Sequence, residues 1–231
     1  VALRQGSSSE ATSGGMESKL GWYEGRSYSY ETSTPYAPFI VLFKNLFGIQ
    51  PGQSDAEQYE LIHARASTIA PGRANDLAPF MANMLGVQTE GEAAQALRYL
   101  DPPQMRQNIF NATMELLEKA AAERPQVIVL DDLHWVDPTS LDLVRELMPI
   151  TDRAALMIIS VFRPSTQDAS WQFHESAMRD YGHRYHSVTL QPLSADDSRE
   201  LVANLLEFED LPERVRALIL EKSEGNPFFV E

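Results

Sequence analysis

The sequence contains no cysteine, which excludes disulfides and thiolate metal sites. Basic residues are scarce: 19 Lys and Arg stand against 33 Asp and Glu, a formal net charge of -14 over 231 residues. That deficit leaves no surplus of cations to release counterions from a phosphodiester backbone, so nucleic acid is not expected as a direct partner. The five histidines, His63, His134, His174, His183 and His186, are too scattered for a zinc motif. No apolar run approaches the roughly 20 residues that cross a bilayer. The expectation is a soluble protein with no membrane partner, and the lack of cysteine fits a cytoplasmic compartment.

What is present is enough chain for one large α/β domain, or for one domain and the start of a second. Residues 6–15 are small and polar and predict a flexible linker. Residues 22–30 alternate aromatics and predict a strand, and residues 38–47 predict a helix with Pro38 in its first turn. Residues 56–124 have helical periodicity, interrupted at Pro71-Gly72, Gly86, Gly91 and Pro102-Pro103, which predicts four helices. The last carries a wide apolar face: Met105, Ile109, Ala112 and Leu116, flanked by Phe110, Met114, Leu117 and Ala121.

Residues 127–130 form an uninterrupted aliphatic run, the pattern of a strand buried on both faces, and end at Asp131-Asp132. Asp137-Pro138 predicts an N-cap with proline at the first helical position, and Leu141, Val144 and Leu147 mark that helix's buried side. A second buried strand is predicted at residues 156–162, ending at Arg163-Pro164, which makes a parallel crossover unit. Residues 186–190 predict a further strand, Ser194 a helix cap with Asp197 as its capping-box acid, and residues 211–222 a last helix before Gly225.

In open α/β sheets ligands gather at the carboxyl ends of the strands. Asp131, at such an end, is a candidate for holding hydrated magnesium. Asp132 is a candidate for orienting or deprotonating a water that attacks a γ-phosphate. Taken alone the pair is ambiguous, because turns favour Asp for purely local reasons.

The surrounding text, VIVLDDLHWVDPTSLDLV, resembles the Walker B segment of the signal-transduction ATPases with numerous domains, the STAND branch of the AAA-related P-loop NTPases. In the same order, LMIISVFRP resembles their sensor strand, LQPLSADDSRELVANLL the connector into a helical lid, and EGNPFFVE the lid's Gly-x-Pro motif. EGRSYSYETSTPYAPFIVLFKNLFGI resembles the strand and helix after the phosphate-loop helix in members attached to nucleotide cyclases and transcriptional activators. The resemblance covers residues 20–231. No G-x-x-x-x-G-K-[ST] occurs in the sequence, and residues 1–5 resemble the helix just after that loop, so truncation before residue 1 is the expectation.

The resemblance implies an α/β fold, a P-loop NTPase-like three-layer sandwich with a parallel sheet. Residues 1–19 would be a helix end and flexible loop, 20–192 the nucleotide-binding core and 193–231 the start of the lid. It implies ATP and Mg2+ as cofactors, Asp131 as the magnesium carboxylate, Asp132 as the water-positioning acid and Arg163 as the sensor arginine reading the γ-phosphate. Gly225 and Pro227 would pack the lid against the adenine. On the residues alone, Arg163 equally suits a surface ion pair, and Gly225-Asn226-Pro227 a helix stop followed by a turn. Trp135 reads as a packing residue, His134 as a hydrogen-bonded loop residue and Asp137 as an N-cap. The implied function is an ATP-driven regulatory switch serving a cyclase, kinase or DNA-binding output elsewhere in a longer chain, with these residues alone inactive. The rival is a non-catalytic protein-interaction scaffold that retains the fold.

Overall fold

In the computed structural model, which describes residues 20–205 and the single positions Arg214, Leu218, Lys222 and Asn226, the aliphatic run after Pro125 becomes the middle strand of a three-stranded sheet. The strands are β1 (Gly21–Arg26), β2 (Gln126–Asp131) and β3 (Leu156–Ser160), in the order β1-β2-β3. Both pairings are parallel, with Tyr23 beside Ile128 and Ile128 beside Ile158. Because side chains alternate along a strand, these three share one face, where Ile128 and Leu130 are fully buried and Tyr23 and Ile158 pack against the core. The opposite face carries Trp22 and Met157 in one row, 51% and 58% exposed. The expected α/β class with a parallel, P-loop NTPase-like sheet is the class found.

The chain between β1 and β2 folds as α1 (Ala37–Phe47), α2 (Asp55–Ile69), α3 (Ala74–Met84), α4 (Gly91–Leu97) and α5 (Pro102–Glu123). Proline lies in the first turn of α1, as expected, and Gly48 ends the helix at φ 72°. Phe39, Leu42 and Phe43, on one face of α1, are fully buried, each worth about 1.5–3 kcal/mol relative to exposure. Reciprocal capping boxes open α2 (Ser54 with Glu57) and α5 (Asp101 with Gln104). The predicted stripe of α5 is buried at Ile109, Ala112 and Leu116, and the helix packs on the sheet and on α2 and α3.

After β2 comes α6 (Pro138–Leu147), and beyond β3 comes α7 (Ala169–Asp180), which packs on α6. Asp137 caps α6 as predicted: its Oδ1 accepts the Ser140 N–H at 2.9 Å, and its other oxygen accepts the Ser140 hydroxyl. The residue is only 3% exposed, so its loss leaves buried donors without an acceptor. Asp137→Ala is expected to destabilise the chain by about 2 kcal/mol, the upper end for a helix cap, and Asp137→Asn by clearly less. Urea unfolding followed by circular dichroism measures both.

Three predicted strands are corrected. The one expected at residues 22–30 covers Gly21–Arg26, and the chain turns at Ser29 and Tyr30. The strand expected at residues 156–162 stops at Ser160, the partner of Leu130; Val161 still donates to the Leu130 carbonyl at 2.9 Å, but its own carbonyl is taken by Leu133, in the turn that follows β2. Residues 186–190 form no strand, and Val188 and Leu190 are 83% and 87% exposed. Their alternating pattern suits a strand, but a strand is stabilised only by a neighbour that pairs with it. The chain divides into two compact units between Tyr185 and His186. In the second, Ser194 caps α8 (Ala195–Leu205), accepting the Asp197 N–H at 3.1 Å and donating its hydroxyl to the Asp197 carboxylate at 2.6 Å. The helix expected at residues 211–222 lies mostly outside the described residues, as do Gly225 and Pro227. Among the described residues, no helix is long and apolar enough to cross a membrane.

Candidate functional site

The buried strand β2 delivers Asp131 to the carboxyl edge of the sheet, in register with Arg26 at the end of β1. Asp132 then leaves the strand in a left-handed conformation, φ 53° and ψ 38°. Among the described residues only Tyr36 shares a positive φ without being glycine. Asp tolerates this region better than most residues. The turn is held from both sides: the Ser27 N–H donates to the Asp131 carbonyl at 3.0 Å, and the Leu133 N–H donates to the Val161 carbonyl at 2.8 Å. Within it, the Asp132 N–H donates to Asp131 Oδ1 at 2.9 Å. The two carboxylates therefore stand on a backbone tied to β1 and to the segment after β3.

Sequence reasoning missed Arg26. Its Nε and Nη2 both donate to Asp132 Oδ2, at 2.9 and 2.7 Å, and Nε lies 3.6 Å from Asp131 Oδ2. The hydrogen bond to Asp132 raises the Arg26 pKa above its ordinary value, with burial opposing and both carboxylates adding attraction. The Arg26 side chain is 55% exposed, so solvent screens the pair and holds its contribution to stability at about 1 kcal/mol or less. The interaction matters more for where it holds Asp132. The available signal was the lone cation in EGR, at the end of the strand that pairs with VIVLD.

Leu133–Trp135 form a short 3-10 turn beyond the acids. The expectation of a hydrogen-bonded His134 is corrected: the side chain is 6% exposed, Nδ1 is 3.9 Å from Asp132 Oδ1, and neither ring nitrogen has a hydrogen-bond partner. The ring lies against Trp135 instead, with centroids 4.3 Å apart, so the turn spends its polar group on packing. Arg163, three residues past β3, places its guanidinium 5.6 Å from the Trp135 ring centre, a cation–π contact. Arg163 thus meets, through Trp135, the loop that follows Asp131 and Asp132. Ser27, beside Arg26, is buried with its Oγ unpartnered.

Magnesium takes hard oxygen ligands and keeps several waters, so one or two protein carboxylates suffice when phosphates supply the rest. Asp131 fits that demand: one oxygen holds the turn, and the side chain is 41% exposed. Among the described residues no cluster of three or more His, Asp or Glu could enclose a metal.

A family model described as AAA ATPase domain matches residues 10–159. The chain is also 28% identical over 140 residues to an uncharacterized protein of Rhizobium meliloti (strain 1021). That stretch takes in 57% of this chain and 12% of the relative, so the chain spans a small part of the length of the protein it matches. No solved structure matches.

Proposed function

The chain belongs to the AAA ATPase domain family, and from that premise we propose that it is the Walker B and sensor part of an ATP-driven regulatory switch in a signal-transduction protein of the STAND type. The observation that carries the reading is the pair Asp131-Asp132 at the carboxyl end of the central parallel strand, on a turn tied to both flanking strands. Asp131 is assigned to the magnesium ion of Mg-ATP. Bound there, the metal would neutralise charge on the phosphates. Asp132 is assigned to orienting the attacking water, a task for which a rigid carboxylate matters more than unusual basicity.

Arg163 is assigned to the γ-phosphate. Arg163 is exposed and, among the described residues, its guanidinium is engaged only with an aromatic face, a contact it can exchange for a phosphate at small cost. Gly225 and Pro227 are assigned to a lid over the adenine, with residues 193–231 as the lid's start. No G-x-x-x-x-G-K-[ST] occurs in these 231 residues, so the phosphate cradle is assigned to residues outside them. ATP held between core and lid would favour one domain arrangement and hydrolysis would release it, a population shift read by an output domain of the same chain.

The test is magnesium-dependent ATP binding and turnover by these residues and by a version extended upstream by roughly 40 residues, the span of one βαβ unit. The extended protein is expected to bind and hydrolyse ATP while the shorter one does neither. Asp131→Asn is expected to remove the magnesium dependence of binding, and Arg163→Ala to weaken ATP relative to ADP by about tenfold, one lost charge-assisted contact to the γ-phosphate. Failure of both proteins to bind nucleotide would replace this reading with a scaffold.

A further inference from the structure

His134 is the group at this site that the proposed chemistry leaves unused, and its surroundings are unusual. A nearly fully buried imidazole with both nitrogens unpartnered is costly, because each lost water hydrogen bond goes unreplaced, and such groups in native structures call for a reason. The reason lies close by. The Asp132 carboxylate faces two ways: Oδ2 takes both hydrogen bonds of Arg26 at 2.7 and 2.9 Å, while Oδ1 points to His134 Nδ1 across 3.9 Å.

That gap is about 1 Å too long for a hydrogen bond, and rotation of one short side chain closes it. Arg26, for its part, is 55% exposed, and its guanidinium carbon also lies 5.8 Å from the centre of the Tyr28 ring, a contact available to it without the carboxylate. His134 cannot make the reverse move, because its ring is held against Trp135 in a turn anchored to Val161. An exposed cation, a carboxylate with one oxygen not bonded to that cation and a buried imidazole without a hydrogen-bond partner thus stand in one row.

We propose that His134 is the alternative partner of Asp132: when Arg26 leaves the carboxylate, Asp132 turns to accept a hydrogen bond from His134 Nδ1. His134 is thus a positioning residue that sets the second orientation of the acid, and the proposal rests on the assignment of Asp132 to the reaction only for its consequence, not for its geometry. Phosphate oxygens arriving at the carboxyl edge of the sheet would compete for Arg26 and so drive the exchange. Because Trp135 lies between the two, against His134 on one contact and Arg163 on another, the setting of Asp132 is felt at the arginine assigned to the γ-phosphate.

The experiment is nuclear magnetic resonance of the 231-residue chain with 15N-labelled histidine and no nucleotide, the His134 signals being identified by their loss in His134→Asn. In the unaltered chain the His134 ring is expected to show no hydrogen-bonded N–H. In Arg26→Ala, and again in Arg26→Gln, a slowly exchanging downfield Nδ1 proton is expected, and it should vanish when Asp132→Gly is added. Arg26 is exposed enough for both variants to fold, and the His174 and His183 signals report that they have. His134 resonances that overlay those of the unaltered chain in both variants would overturn the proposal, whatever the outcome of any ATP measurement. In the extended protein, His134→Ala is expected to lower kcat roughly 10-fold to 100-fold with KM unchanged and His134→Asn, which keeps a donor, to recover part of it. A matched rise in KM would mark a structural role and count against the proposal.

Discussion

In the upstream-extended protein, replacing Asp132 with Asn is expected to cut ATP turnover roughly 10²–10⁴-fold, the usual range for losing a positioned base, while ATP binding stays within a few-fold of the same protein with Asp132 intact. The substitution is informative because of the backbone it sits on. Asp132 occupies the left-handed region at φ 53°, and Asn tolerates that region as well as Asp does. Asn also keeps a carbonyl oxygen for the Arg26 guanidinium. Asp132→Ala, by contrast, would add backbone strain of about 1–2 kcal/mol and would blur chemistry with folding. Trapped, bound ATP in Asp132→Asn, measured by equilibrium dialysis beside a turnover assay, is the expected result. Unchanged turnover would remove Asp132 from the reaction and move attention to the scaffold reading.

The reason one acid can be separated from the fold in this way is that its position is set by strand ends and its orientation by side chains. The end of β2 was legible in the sequence. An aliphatic run such as residues 127–130 cannot be solvated and has to lie in a sheet, and the carboxylates that follow it mark where burial stops. Asp137-Pro138 was legible for the same kind of local reason: a cap and a fixed φ act over three residues, and the structure forms that cap. The helices of residues 56–124 were legible because their interruptions are glycines and prolines. The pairing of β1 with β2 was not, since 99 residues separate Arg26 from the start of β2 at Gln126, counted as the 27–125 interval, and no periodicity reaches that far.

Arg26 went unread for that reason. Its partner is 106 positions away, and only the parallel register that sets Arg26 beside Asp131 makes the contact visible. His134 went unread for the opposite one: local rules say that a buried polar group finds a partner, and here the neighbouring carboxylate is already taken by Arg26. Residues 186–190 misled because alternation is a necessary property of a strand and not a sufficient one. In each case the missing information was which distant segment lies alongside.

That dependence of the site on strand register leads to the largest expected effect on the fold. Gly25→Ala is expected to destabilise the chain by about 3 kcal/mol, the upper end for an overpacked core, lowering Tm by about 6–12 °C for a domain of this size. Gly25 lies in β1 directly before Arg26, and a Cβ built on it would come 2.2 Å from the Pro38 carbonyl oxygen and 2.8 Å from its carbon. Both are backbone atoms in the first turn of α1, held in place by the buried Phe39, Leu42 and Phe43. No side chain can swing aside, so either α1 lifts from the sheet or the end of β1 slides away from β2. The second route carries Arg26 off the carboxylates. Differential scanning calorimetry measures the stability change, and the His134 Nδ1 signal distinguishes the routes: a newly hydrogen-bonded proton means that β1 has moved and released Asp132, while an unaltered signal with a lowered Tm means that α1 has yielded. A Tm within 2 °C of the unaltered chain would show instead that the β1–α1 contact is looser than its geometry implies.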